Sequence, residues 1–313
     1  MSSEFEHRPV LLDEVMEGLA IRPQGLYVDG TFGRGGHAGA ILQRLDKDGR
    51  LLALDKDPHA VAAARHRFGA DTRFSIEHGS FTQLKQHVSE RGWLGIVDGI
   101  LLDLGVSSPQ LDDATRGFSF RLDGALDMRM NPETGISAAQ WIKDVSERDL
   151  VTVFKDYGEE RYAKRIARAV IKARTTQAIT GTKQLADIIA QAHPNWEKGK
   201  DPATRCFQAI RIYLNNELGE LQKTLPQSIE CLKSGGRLAV ISFHSLEDRI
   251  VKRFMREQAR GDEFPPDLPI PQSQLHPKLR VIGKAIRPGE TEIEQNPRAR
   301  SSVLRVAEKC IDR

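Results

Sequence analysis

A glycine-rich segment near the N-terminus has the residue types and the spacing of a ligand-binding loop. The apolar run Leu26–Val28 is typical of a buried strand, and it is followed by Asp29. The stretch Ala38–Leu45 has the small residues of a helix. Glycines let a ligand approach the backbone, and the start of a helix offers free N–H groups. The segment therefore predicts the first half of a nucleotide-binding βαβ unit. The glycines of this loop are Gly30, Gly33, Gly35 and Gly36.

The glycine spacing indicates which ligand the loop could bind. A P-loop needs a Lys–Ser/Thr pair after the glycines, and a dinucleotide loop needs G-x-G-x-x-G. The loop here is G-x-x-G-x-G-G, with Asp29 before it. This order suits a cofactor with a cationic amino-acid end and no pyrophosphate, such as S-adenosylmethionine. The glycines alone are also compatible with a tight structural turn.

Further predicted strands end in residues that suit a nucleotide. Arg50–Asp55 ends in an acid that could bind ribose hydroxyls. Phe81 follows the predicted strand Arg73–His78 and starts a predicted helix; it could hold an adenine or pack in the core. Val97–Asp103 also ends in an acid. Because ligands of open α/β sheets lie at the carboxyl ends of strands, we expect all of these residues at one edge, together with Asp29.

The residues after Asp103 could orient an amine that accepts a methyl group. Methyl transfer from S-adenosylmethionine needs donor and acceptor in line within a polar pocket. Amine methyltransferases commonly place a polar residue, prolines and an aromatic here, and this chain has Ser108, Pro109 and then Gln110. Asp103 could bind the cofactor, accept a hydrogen bond from the amine or only orient the loop. Methylation of a ring carbon would need a nearby cysteine nucleophile, and none is close in sequence.

Helices are predicted to dominate the middle of the chain. The predicted helix Glu159–Arg174 carries four cations on one face, which could contact RNA or simply be solvated. The apolar stripe from Phe207 to Leu221 predicts one further helix, and Ser146 with Asp149 forms a predicted capping box. The cations of the first helix are Arg161, Arg165, Arg168 and Lys172.

The sheet is predicted to resume late in the chain. Gly236–Phe243 is a strand, and Ser245–Asp248 is a second capping box. Ser301–Val306 is expected to close the sheet as an antiparallel edge, directly after Arg298 and Arg300, which could contact RNA or form surface ion pairs. Residues 5–20 predict a leading helix, and the prolines of 261–277 predict an extended linker. The chain is thus expected to be α/β, with core parts 1–110 and 226–313 and a helical insertion, 111–225, for substrate recognition.

Composition sets few limits on function. The 313 residues suffice for one large domain or two, and a net charge of +3 neither requires nor excludes a nucleic-acid partner. No apolar run approaches the roughly 18 residues of a membrane span. The N-terminal residues have no apolar h-region, so we do not expect them to act as a secretory signal. The three cysteines and nine histidines form no C-x-x-C or H-E-x-x-H motif. We expect a cytoplasmic protein without a metal centre.

Several longer segments are distinctive enough to indicate a family. They are GTFGRGGH (30–37), LLDLGVSSPQLD (101–112), RGFSF (116–120), LDMRM (126–130), YGEERYAKRIARAV (157–170), FQAIRI (207–212), ISFHSLEDRIVKRFM (241–255) and NPRARSSVLR (296–305). These segments resemble the family of bacterial ribosomal RNA small subunit methyltransferase H, also called MraW. The resemblance implies a Rossmann-like class I S-adenosylmethionine-dependent methyltransferase core with an inserted helical domain, and N4-methylation of a decoding-centre, P-site cytidine in 16S ribosomal RNA. We expect this RNA to be bound within the small ribosomal subunit, and free RNA stays open as the substrate.

The resemblance also implies which residues contact the cofactor. His37 could instead only cap its helix, and Asp29 is expected near the amino-acid end of the cofactor rather than in catalysis. Two other functions stay open on the same fold: a nicotinamide-dependent oxidoreductase, which the glycine spacing disfavours, and a non-catalytic ribosome-assembly factor. A homodimer is also left open. The implied cofactor contacts are Gly35, Gly36, His37, Asp55, Phe81, Asp103 and Gln110.

Overall fold

The computed structural model of the protein describes residues 9–195, 201–261 and 275–311. The chain divides into two compact units. The first combines Met1–Gly105 with Leu218–Arg313, and the second is Val106–Glu217. The functional division at residues 110 and 225 stays a prediction. Within the described residues, no helix is both long and apolar enough to span a membrane.

The first unit is built on a seven-stranded sheet in the order β3-β2-β1-β4-β5-β7-β6. The first five strands are parallel, whereas β7 runs antiparallel to both β5 and β6. The carboxyl ends of the parallel strands therefore meet at one edge, which we call the carboxyl edge. The strands are β1 (Leu26–Asp29), β2 (Arg50–Asp55), β3 (Phe74–His78), β4 (Val97–Asp103), β5 (Leu232–Ser242), β6 (Leu279–Ile286) and β7 (Val303–Lys309).

Both faces of this sheet are apolar, because its parallel strands are covered by helices on each side. In β2, Leu51 and Ala53 belong to one buried cluster, and Leu52 and Leu54 to the other. The strand period of two sends alternate residues to opposite faces, so a continuous apolar run is buried throughout. The helices of this unit are α1 (Leu12–Leu19), α2 (Gly36–Arg44), α3 (Pro58–Phe68), α4 (Leu84–Glu90), most of α11 (Glu217–Cys231), α12 (Ser245–Arg260) and α13 (Glu290–Gln295).

The second unit is helical and has its own apolar core. Phe154, Ile166 and Ile210 are fully buried in one cluster, so this unit packs without a sheet. Ser146 is the N-cap of α7 and accepts the Asp149 N–H, which confirms that predicted cap. The helices are α5 (Ser108–Asp112), α6 (Ala138–Asp144), α7 (Glu147–Asp156), α8 (Ala163–Thr176), α9 (Thr182–Ala192) and α10 (Ala203–Leu214).

The predicted helix Glu159–Arg174 begins later than expected, at Ala163. Glu159 has a φ of 49°, in the left-handed region, and the buried Glu160 carboxylate accepts the Tyr162 N–H. These contacts hold the preceding residues in a turn. Arg161 therefore lies outside the helix, and the predicted face of four cations is wrong at that position.

The apolar stripe from Phe207 to Leu221 covers two helices, not one. The chain turns at Asn216, whose φ is 49°, a conformation that asparagine tolerates better than most residues. The side chain of Asn215 accepts the Met130 N–H at 2.7 Å and donates to the Met128 carbonyl at 2.8 Å. Because these partners are distant in sequence, periodicity could not reveal the break.

Other predicted elements need smaller corrections. β7 is not the edge strand, since β6 pairs outside it. The second capping box is formed by His244 and Glu247 instead of Ser245 and Asp248, because the helix starts one residue earlier than expected. The predicted helix from Phe81 begins with a 3-10 turn before α4. Most of the predicted proline linker, and the start of the predicted leading helix, lie outside the described residues.

Candidate active site

The glycine loop connects β1 to α2 at the carboxyl edge. Gly33 and Gly35 have φ values of 55° and 70°, which glycine adopts without strain. Gly35 is the N-cap of α2 and has no side chain to satisfy the first N–H groups of the helix. A helix start of this kind attracts polar or anionic ligand groups. The loop can therefore offer backbone donors to a cofactor.

Asp55, at the end of β2, holds this loop by a hydrogen bond to its backbone. One carboxylate oxygen accepts the Gly33 N–H at 2.8 Å, and the other accepts the Asp57 N–H at 2.8 Å. Burial raises the pKa of Asp55 to about 6, against the lowering effect of these two hydrogen bonds. Each oxygen retains capacity for a further donor. Asp55 can thus support the loop and accept ribose hydroxyls.

His37 and Asp103 form a pair between α2 and the end of β4. His37 Nε2 lies 3.5 Å from Asp103 Oδ2, and their side chains are 6% and 26% exposed. Within the described residues, both ring nitrogens of His37 and Asp103 Oδ1 are buried without a hydrogen-bond partner. Buried polar atoms are normally satisfied, so unsatisfied ones beside a glycine loop indicate a ligand.

Thr31 holds the backbone at Asp103 in place. Its hydroxyl oxygen accepts the Asp103 N–H at 2.6 Å, and its own N–H is donated to the Asp29 carboxylate at 3.1 Å. Sequence reasoning did not single out Thr31, although its place between Gly30 and Gly33 was a usable signal. This hydroxyl links the loop after β1 to the end of β4.

Asp29 is a buried carboxyl group among other charged groups. It is 1% exposed, and burial raises its pKa to about 7. The Asp103 and Asp55 carboxylates add to the rise, whereas His37 and the Thr31 N–H oppose it. A cationic group that bound nearby would favour the ionised carboxyl. The amino-acid end of S-adenosylmethionine carries such a group.

The Asp29 carboxyl should make stability depend on pH. Since its folded pKa is about 7 and its ordinary value is 3.8, it stabilises the fold at low pH, and this contribution is lost as pH rises through 7. Asp29→Asn removes the titration, and the amide oxygen can still accept the Thr31 N–H. From pH 5 to pH 8, the wild type should lose about 3 kcal/mol more stability than the variant, at about 1.4 kcal/mol per unit. Thermal melts of the ligand-free proteins test this, and parallel losses would contradict it.

The unit-one residues together fit S-adenosylmethionine. Asp29 and Asp103 could face the cationic end, Asp55 the ribose, and half-buried Phe81 the adenine. Phe81 starts the 3-10 turn after β3 and packs partly against a buried cluster, so its predicted adenine and packing roles are compatible. A Cβ at Gly36 would lie 2.3 Å from Pro9 Cγ, which explains why glycine is needed there.

Ser108, Pro109 and Gln110 lie in the second unit, in the first turn of α5. The Gln110 side-chain oxygen accepts the Ser107 N–H at 2.9 Å, and Gln110 is 5% exposed. Gln110 therefore helps to fix the start of the helix. Its contact with the cofactor, and the roles of Ser108 and Pro109 near the acceptor, stay predictions.

The predicted RNA-contact residues are exposed in both units. Arg165, Arg168 and Lys172 project from α8, and Arg161 precedes it. Arg168 has a Glu147 carboxylate 3.7 Å away, in an exposed pair that contributes little stability. Arg298 and Arg300 lie in a 3-10 helix before β7. Val303 of β7 pairs with Ser242, so these two arginines belong to the carboxyl edge.

A buried His–Glu pair lies just after the end of β5 and was not predicted from the sequence. Glu247 Oε2 accepts the Phe243 N–H at 2.8 Å, and His244 Nε2 lies 3.1 Å from Glu247 Oε1. The spacing of three residues between His244 and Glu247 could have predicted this capping box. Ser245 was preferred as the N-cap because serine is a more usual capping residue than histidine. This pair fixes the N-terminus of α12 at the carboxyl edge.

The chain matches a known protein family along almost its whole length. The profile of the MraW methylase family matches residues 4–310. Two relatives named ribosomal RNA small subunit methyltransferase H come from Coxiella burnetii, strains RSA 331 / Henzerling II and Dugway 5J108-111. Each is 58% identical over 303 residues, which is 97% of this chain and 98% of the relative.

Solved structures add little to that match. An rRNA methylase from Streptococcus thermophilus has a TM-score of 0.43 and 10% identity, over 95% of each chain, which is too low to support an argument. The family match and the identity of the relatives confirm the predicted methyltransferase fold, activity and S-adenosylmethionine cofactor, and the chain belongs to the MraW methylase family.

Proposed function

We propose that this protein transfers a methyl group from S-adenosylmethionine to the N4 amine of a decoding-centre, P-site cytidine in 16S ribosomal RNA. The observation that carries the proposal is the His37–Asp103 pair, whose unsatisfied buried atoms lie where β4 ends beside the glycine loop. The names of the relatives support a substrate in small-subunit ribosomal RNA. A cytoplasmic location, an assembled subunit as substrate and a homodimer belong to the proposal as predictions.

The residues of the first unit have distinct proposed roles. Gly35, Gly36 and His37 present the loop backbone to the cofactor, Asp55 accepts the ribose hydroxyls and Phe81 contacts the adenine. Gln110 is a further proposed cofactor contact. The cofactor supplies an electrophilic methyl group when bound. The task of the protein is then to hold the acceptor in line and to exclude misaligned poses.

Asp103 has two proposed roles that differ in kinetics. If it contacts the amino-acid end of the cofactor, its loss raises the KM for S-adenosylmethionine. If it accepts a hydrogen bond from the amine as the amine attacks, its loss lowers kcat and kcat/KM together. We favour the first role, because Asp103 already lies beside His37 and the glycine loop.

The positions of the cysteines support methylation of an amine over a ring carbon. Carbon methylation needs a thiolate nucleophile near the acceptor. Cys231 precedes β5 and Cys310 follows β7, so both lie at the edge opposite to Asp103. Cys206 is fully buried in α10, and burial raises its pKa well above the ordinary value. None of the three is placed to attack a base at the carboxyl edge.

The exposed cations of α8 are proposed to contact RNA phosphates. Arg165→Glu/Lys172→Glu should weaken binding to small subunits and reduce the salt slope by about 1.5, at roughly 0.7–0.9 per lost contact. Lys143→Glu/Lys155→Glu is the matched control, since it changes the charge equally at exposed sites of the same unit. Binding titrations at several salt concentrations measure the slopes. Equal slopes in wild type and the α8 variant would show that this face is only solvated.

One transfer experiment tests the proposed reaction. Small subunits from cells that lack the enzyme are incubated with the protein and methyl-labelled S-adenosylmethionine, and the nucleosides are separated after digestion. The proposal expects N4-methylcytidine, with less product for Asp103→Asn. Labelled 5-methylcytidine would contradict the amine acceptor. No label on any cytidine would contradict the proposed acceptor.

A further inference from the structure

Helix α12 in the first unit has one strongly cationic face. Arg249, Lys252, Arg253, Arg256 and Arg260 are all exposed. Their spacings of three and four residues place them on one side of the helix. On the other side, Val251 and Met255 are buried, and the helix packs against β5, β6 and β7. The apolar side fixes α12 to the sheet, so the cationic face is held toward solvent.

Helix α12 carries few acids that could neutralise this face. Of the three acids in α12, Glu247 is buried, Asp248 is paired with Arg305 at 2.7 Å, and only Glu257 is exposed. Among the described residues, no carboxylate forms an ion pair with Lys252, Arg253 or Arg256. Unpaired cations at this density create a positive potential that attracts a polyanion.

The face starts at the carboxyl edge. β5 lies beside β4 with Ile241 opposite Asp103, and α12 begins three residues after Ser242 of β5. Its 16 residues extend about 24 Å, at about 1.5 Å per residue. Arg298 and Arg300 lie at the same edge. A nucleic-acid strand whose base reaches Asp103 would therefore meet positive charge at the edge and along α12.

We propose that the cationic face of α12 binds the phosphate backbone of the small-subunit ribosomal RNA strand that adjoins the target nucleotide. The inference rests on the proposed function, since it takes that RNA as the partner. Arginine suits this role, because its planar guanidinium can bind phosphate oxygens in pairs. The contact is independent of base identity, so it contributes affinity and position but not the choice of base.

The test compares charge reversal on α12 with reversal elsewhere in the same unit. Arg253→Glu/Arg256→Glu should raise the KM for small subunits by about tenfold and reduce the salt slope of binding by about 1.5. The kcat at saturating subunits and the affinity for S-adenosylhomocysteine should not change. Arg253→Lys/Arg256→Lys keeps the charge and should retain the slope. Lys47→Glu/Arg65→Glu makes the same charge change at exposed sites away from α12 and should behave like wild type.

Binding to free 16S RNA and to assembled subunits separates the outcomes. Weaker binding to both, with thermal midpoints near wild type, supports the inference. An unchanged KM and slope would overturn it, and so would a loss on subunits without a loss on free RNA, which would indicate a ribosomal protein as the partner. If the wild type binds through α12 but transfers no methyl group, the proposed function fails and this inference stands.

Discussion

Replacing Asp55 by alanine should weaken S-adenosylhomocysteine binding by about 1.5–3 kcal/mol, or about 10- to 150-fold in Kd. The carboxylate is expected to accept both ribose hydroxyls, and hydrogen bonds to a charged acceptor are stronger than neutral ones. Because burial raises the pKa of Asp55 to about 6, the measurement belongs at pH 8, where the group is ionised. Isothermal titration calorimetry on the folded variant gives the value.

Asp55 has a second effect that the experiment must separate from the first. Its carboxylate also accepts the Gly33 N–H, so the variant could lose affinity through a loosened loop. A cofactor analogue without the ribose hydroxyls distinguishes the two. If Asp55 contacts the ribose hydroxyls, the substitution should hardly change the affinity for this analogue. If Asp55 acts only through the loop, the substitution should weaken binding of the analogue as much as that of S-adenosylhomocysteine. An unchanged affinity for S-adenosylhomocysteine itself would remove Asp55 from the site.

Gly35→Ala should also disable the cofactor site. Gly35 has a φ of 70°, and a Cβ there would lie 2.4 Å from Phe32 Cζ and 2.9 Å from Phe68 Cε2. The left-handed conformation alone costs roughly 1–2 kcal/mol for a residue with a side chain. The clash adds to this, since Phe32 is 4% exposed and packs edge-to-face on Phe68. We expect at least about a tenfold loss in affinity for S-adenosylhomocysteine.

Gly92→Ala is the matched control for this substitution. Gly92 has a φ of 69°, but no atom lies within 4 Å of the position of an added Cβ. The substitution should therefore lower the free energy of unfolding by about 1 kcal/mol, because alanine is strained at this φ. It should leave cofactor affinity unchanged. Calorimetry and thermal melts on both variants make the comparison. Wild-type affinity in Gly35→Ala would show that the loop backbone does not approach the cofactor.

The carboxyl edge could be predicted from sequence because its signals are local. Each apolar run of the parallel sheet is buried on both faces, so the strands before Asp29, Asp55 and Asp103 stand out without knowledge of the fold. The ends of parallel strands must then meet at one edge. The position of these three acids at one edge therefore follows from the sequence alone.

The errors occurred where distant contacts override local pattern. The helical period continues from Phe207 to Leu221, but Asn215 bonds to residues far away in sequence and ends the helix. Arg161 is displaced from α8 by a turn that depends on buried Glu160. The unsatisfied atoms of the His37–Asp103 pair depend on three-dimensional burial, which residue types cannot reveal.

Mass mapping of 16S ribosomal RNA shows whether this protein methylates the decoding-centre cytidine in cells. Cells that lack this protein are complemented with the wild type or with the Asp55→Ala variant, and the RNA is digested and compared by mass. We expect the fragment with this cytidine to be lighter by one methyl group without the protein. The wild type should restore the mass, and the variant should restore it only in part. An unchanged mass at that cytidine in cells without the protein would show that this protein does not methylate it.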